Sequence, residues 1–105
     1  MITSFFPGRI RLRAPVFKDE ILVAKAEAVL KSVPQLKAAL KNIQSNLVTG
    51  SVLIEYDSQK FLPEDFSGLK DFLLRLEAEA KNYDGSRRVE ILALLEALEK
   101  ELKAL

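Results

Sequence analysis

Apolar and polar residues alternate strictly over residues 8–14. Ile10, Leu12 and Ala14 fall on one side, and Arg9, Arg11 and Arg13 on the other. Period two is the pattern of a half-buried strand. It starts directly after a Pro7–Gly8 corner and Pro15 ends it. Asp19 supplies an N-cap for a helix over 20–33, in which Leu22, Ala26, Val29, Leu30 and Val33 share one face. Pro34 stops that helix. Leu40–Asn46 reads as a short, weakly patterned strand and Asn46–Gly50 as a turn. Ser51–Asp57 carries the clearest alternation, with Val52, Ile54 and Tyr56 opposite Leu53 and Glu55. The two segments form a hairpin.

Pro63, Glu64 and Asp65 supply helix-start chemistry. Phe66, Leu69, Leu73, Leu76 and Ala80 trace one face of the helix that follows, with Phe72 beside them. Gly68 weakens its first turn and moves the expected start toward 68. The stretch "NYDGS" breaks it, and Ser86 is placed to cap a last helix from 87 to the end. There Ile91, Leu95, Leu98, Leu102 and Leu105 form a heptad stripe, with Glu96–Lys100 and Glu99–Lys103 as i,i+4 pairs.

The order β-α-β-β-α-α predicts an α+β, ferredoxin-like fold: an antiparallel sheet with helices on one face. The fold's usual fourth strand is absent from its place in the sequence, where the last helix stands. The chain divides into a ferredoxin-like domain over 1–81 and an amphipathic helix over 86–105, packed on the domain or used for association. A missing strand leaves a sheet edge to be covered, which a second copy could do.

A chain of 105 residues is one small domain. Its formal net charge of +1 argues against broad, charge-driven binding to nucleic acid or acidic membrane, but leaves room for a local basic patch. There is no Cys, His or Trp, and the one Met is Met1. That removes disulfides, thiolate nucleophiles and cysteine-built zinc or copper sites. It also removes the side chain best suited to proton transfer near neutral pH. A non-enzyme without a cofactor is expected. No apolar run approaches the roughly 20 residues needed to cross a bilayer. The N-terminus lacks the pattern of a signal peptide. A cytoplasmic setting without membrane insertion is the expectation.

"PGRIRLR" opening the first strand, followed by "NLVTGSVLIEYD" at the hairpin, resembles the heavy-metal-associated domains, most closely their cysteine-free branch. The likeness spans residues 5–80. It implies a ferredoxin-like fold and a setting at the N-terminus of a metal-transporting P-type ATPase or in a small stand-alone protein. Similar arginine-rich motifs in proteins linked to bacterial iron-storage compartments imply a docking or address role. The family's metal site is a Met-x-Cys-x-x-Cys loop between the first strand and first helix. Here that loop reads Ala14-Pro15-Val16-Phe17-Lys18-Asp19 and offers no soft donor for copper(I). Metal-chaperone activity does not carry over. The "SVPQLKAAL" stretch is longer than the family's entry to the second strand, and Ser45 stands where an apolar residue is usual.

Arg9, Arg11 and Arg13 admit two readings. They bind a partner's carboxylates or a phosphate, to which the planar guanidinium is suited. Otherwise they pair across the sheet with Glu55 and Asp57 while their stems cover the open face. That face would show Arg9, Arg11, Arg13, Ser51, Leu53 and Glu55, which leaves RNA binding without an aromatic stacking platform. Phe5, Phe6 and Phe17 cap the ends of the core or form a small docking patch. Asp19, Glu20, Glu64 and Asp65 are explained by helix starts, with a hard-cation site from Asp57, Glu64 and Asp65 as the alternative. The stripe of Ile91, Leu95, Leu98 and Leu102 either folds back on its own domain or pairs with another copy or a partner helix. The expected function is a non-catalytic protein-interaction module that self-associates as a homodimer, with Arg9, Arg11, Arg13, Ile91, Leu95, Leu98 and Leu102 facing the partner. The alternative is an accessory protein of iron transport or storage that binds a hard cation or an anion.

Overall fold

The computed structural model describes residues 2–60 and 67–104. Among these, four strands form one antiparallel sheet: β1 Ile2–Phe6, β2 Arg9–Arg13, β3 Leu40–Asn46 and β4 Ser51–Tyr56. The helices are α1 Glu20–Ser32, α2 Pro34–Ala39, α3 Lys70–Lys81 and α4 Arg88–Lys103, with a 3-10 turn over Pro15–Lys18. The expected helix start at Pro63, Glu64 and Asp65, together with Phe66 and Leu105, lies outside the described residues.

The strand order is β1-β2-β4-β3, so β2 and β4 are central. The α+β, ferredoxin-like class stands, and the sheet has its fourth strand. That strand comes from the N-terminus instead of following the second long helix. Pro7 and Gly8 turn β1 back along β2, with Phe6 opposite Arg9. Gly8 takes the positive φ (+88°) that the second corner residue after a proline requires. The sheet edge beside β2, expected to be open, is therefore covered by the chain itself. No edge beside β2 is left for a second copy to cover. The register slips between Ile2 and Ser4, which puts Ile2 and Phe5 on the same face and breaks the period-two signal.

At the far end of the β3–β4 hairpin, Gly50 is buried with φ +69°. Its carbonyl accepts from the Ala14 amide at 3.0 Å. A Cβ built at Gly50 would stand 2.8 Å from the Ala14 carbonyl oxygen. Gly50→Ala therefore combines a left-handed backbone with a backbone clash. It should cost about 2 kcal/mol, read as a lower chemical-denaturation midpoint with unchanged slope.

The helical layer is tied together at Asp19. Its Oδ1 accepts from the amides of Ile21 (3.0 Å) and Leu22 (3.4 Å), the N-cap that the sequence predicts. Its Oδ2 accepts from Arg88 Nε at 2.8 Å and from the Tyr83 hydroxyl. One carboxylate thus joins the start of α1 to the α3–α4 turn and the start of α4. Arg87 adds a two-pronged pair to Glu79 at 2.8–3.1 Å. Ser86 does not cap α4: its amide donates to Asp84 Oδ1 at 2.9 Å, inside a tight turn around Gly85.

Two buried clusters make the core. Ala14, Val16, Leu22, Ala80 and Ile91 form one, and Val29, Val33, Leu69, Leu98 and Leu102 the other, with Leu95 against both. The buried face of α3 runs through Leu76 and Ala80 with Phe72, while Leu73 is half exposed. Between the sheet and the helices lies an apolar cavity of about 260 Å³, bounded by Leu12, Ile43 and Ile54 below and Leu22, Val29 and Leu98 above.

Candidate functional site

The helices cover one face of the sheet and leave the other open. In an antiparallel ladder, directly opposed residues share a face. The open face is therefore built of cross-strand rows: Ser4–Arg11–Leu53–Gln44, Phe6–Arg9–Glu55–Asn42 and Arg13–Ser51–Asn46. All three arginines are exposed. They stand on a central strand, so their backbones are held by hydrogen-bonded neighbours on both sides.

None of the three is paired among the described residues. Among the described residues, no carboxylate lies within the 4.0 Å ion-pair limit of Arg9, Arg11 or Arg13. The expected pairing with Glu55 and Asp57 does not form. Glu55 is in register with Arg9 but accepts instead from Asn42 Nδ2 at 3.4 Å. Asp57 Oδ1 accepts from the Gln59 amide at 2.9 Å, closing a turn of its own. The open face thus carries three cations against one acid in its ladder rows.

The missed strand β1 adds to this face. Ser4 lies beside Arg11 and Phe6 beside Arg9. Phe6 is 64% exposed and Phe5, on the opposite face of β1, 58%. Neither caps the core; Phe17 does pack against it. The Pro7–Gly8 corner was the one signal that could have placed Ser4 and Phe6 here.

Beside Arg11 and Arg13 the face sinks into a shallow hollow of about 900 Å³. Thr3 and Ser4 border it on one side, Gln44 and Ser51 on the other. Thr49 Oγ1 and Ser51 Oγ share a hydrogen bond of 2.7 Å. The Asn46 side chain is used in the hairpin turn, where it accepts from the amides of Val48 and Thr49 at 3.0 and 3.2 Å.

The α4 stripe is not at the surface. Ile91, Leu98 and Leu102 are buried, and Leu95 packs against both core clusters. The structure places these residues against α1 and α3 of their own chain. Of the two alternatives for the stripe, it shows the folding-back one. Glu99 keeps its expected i,i+4 partner Lys103 at 3.9 Å, whereas Glu96 pairs with Lys25 of α1 at 3.8 Å.

The loop from Ala14 to Asp19 does not fit a soft metal ion. Val16 is buried, Phe17 packs inward, and the Asp19 carboxylate already accepts four hydrogen bonds. Among the described residues, no group of three or more acids lies together as a candidate cation site. No described helix is long and apolar enough to cross a membrane.

No curated protein and no solved structure matches the chain. A family model does match, over residues 1–104, and it describes heavy metal associated domain 2.

Proposed function

The chain belongs to the heavy metal associated domain 2 family, and from that premise we propose that it is a non-catalytic docking module. Its open sheet face receives an acidic segment of a partner protein. The observation that supports this reading is the arginine ladder, which pairs with no acid among the described residues. Three guanidiniums on adjacent same-face positions, with one acid among them, repel one another unless an outside anion compensates them. The rigid central strand fixes their spacing at about 6.7 Å per step, which suits recognition by several carboxylates at once. The reading takes the partner to be a metal-handling protein, such as a metal-transporting ATPase, in the cytoplasm; membership of a heavy metal associated family supports the choice of partner class. Self-association through the α4 stripe is not part of this reading, because the stripe is core.

Titration calorimetry with a polyglutamate peptide tests it. Binding should be measurable at low salt, weaken as salt screens the ladder, and fall at least about ten-fold when Arg9, Arg11 and Arg13 are all changed to Ala. Equal binding by wild type and triple variant would overturn the reading, as would no binding at low salt.

A further inference from the structure

The three arginines are not equivalent. Arg9 faces Glu55 in the ladder, but Arg11 faces Leu53 and Arg13 faces Ser51. Positive charge is therefore least compensated at the Arg11–Arg13 end. The hollow lies at that end, and no carboxylate lines it among the described residues. Among its other lining groups, the Ser4 hydroxyl and the Gln44 amide can donate outward, whereas Thr3 Oγ1 already donates to the Arg11 carbonyl oxygen at 3.3 Å. The Thr49–Ser51 pair is closed on the hairpin: Thr49 Oγ1 donates to the Asn46 carbonyl oxygen at 3.4 Å and lies 2.7 Å from Ser51 Oγ, which leaves both hydroxyl hydrogens in use.

We propose that Arg11 and Arg13, with the Ser4 hydroxyl and the Gln44 amide beside them, form a subsite for a phosphoryl group, carried as a phosphorylated residue of the docked protein segment. The proposal rests on the docking reading above and makes it specific. A carboxylate has two oxygens and fills a single guanidinium fork. A phosphate monoester has three terminal oxygens and about −1.5 to −2 charges, so it takes two forks and neighbouring donors together. Two arginines two residues apart on one strand face can converge on one such group through their flexible stems. Phe6, at the other end of the face, flanks Arg9 and not the hollow.

The test uses one glutamate-rich peptide in three forms, with Ser, phosphoserine or Glu at its centre, each titrated by calorimetry and by amide NMR. The phosphoserine form should bind about ten-fold tighter than the Ser form, with the Glu form close to Ser. Its largest shifts should fall on Arg11, Arg13 and Ser4. Arg11→Ala or Arg13→Ala should remove the phosphoserine advantage, whereas Arg9→Ala should weaken all three forms alike. Equal binding of the phosphoserine and Glu forms would overturn the subsite and leave the docking reading standing. No binding of any form would overturn both. A single-stranded RNA oligonucleotide that binds this face more tightly than the phosphopeptide would overturn the subsite in favour of nucleic acid.

Discussion

Leu98→Ala should lower stability by about 3 kcal/mol and leave the mass in solution unchanged. Leu98 is 8% exposed and sits between Val29, Val33, Leu69 and Leu102. Truncation removes three carbons from a site that borders an existing cavity of about 260 Å³. The helices around it are pinned by Asp19 and Glu79, so collapse into the void is restricted and the cost falls mid-range for such changes. For a chain of this size the loss corresponds to a melting-point drop of about 15 °C. Light scattering on the same samples separates two meanings of the stripe. If it is core, wild type and variant have equal mass and the melting point does not depend on concentration. If it were a helix–helix interface between copies, the variant would shift the mass and its melting point would follow concentration. Exposed Arg11→Ala is the matched control, expected within about 0.5 kcal/mol of wild type.

That contrast marks where the sequence was legible. A heptad stripe reports that a helix face must be buried, but not against what. The helix supplies apolar residues on a period that serves an intramolecular groove and a dimer seam equally. The choice is made by α1 and α3, whose own stripes, Leu22 to Val29 and Phe72 to Ala80, need the same cover. The strands that bury one face cleanly, β2 and β4, were readable to within one residue. β1 was not, because the slip near Thr3 breaks the alternation within a strand of five residues. Losing β1 also hid Ser4 and Phe6 from the open face. The arginines were visible as candidates, but their freedom from Glu55 and Asp57 was not. That depends on rotamers and on Asn42 and Gln59, which the linear pattern does not encode.

The second large effect is expected at Asp19, whose side chain is 6% exposed. Asp19→Asn keeps an oxygen able to cap α1, since Asn and Asp are comparable N-caps. It replaces Oδ2 with an amide that cannot accept from Arg88 and Tyr83. The change thus isolates the bridge between α1 and the α3–α4 turn, and should cost about 2 kcal/mol. Burial pushes the Asp19 carboxyl up, but hydrogen bonds from Tyr83, Arg88 and the Leu22 amide outweigh it and hold the group below its ordinary 3.8. The folded state therefore prefers the charged form. This contribution is complete above the ordinary value and is lost as pH falls through the depressed one. Tyr83 behaves in the opposite sense. Its hydrogen bond to Asp19 and its partial burial raise the hydroxyl above 10.0, so its contribution is complete below that value and is lost as pH rises past it. Stability from this pair should form a plateau between about pH 4 and pH 10. Asp19→Asn should shallow the acid limb without abolishing it, because Glu79, held low by the Arg87 hydrogen bond, still titrates there. Tyr83→Phe should remove this alkaline contribution and also shallow the acid limb, because it takes away one of the hydrogen bonds that hold Asp19 low. Denaturant midpoints across pH for the three proteins provide the check. An acid limb identical in wild type and Asp19→Asn would show that Asp19 does not hold these helices together.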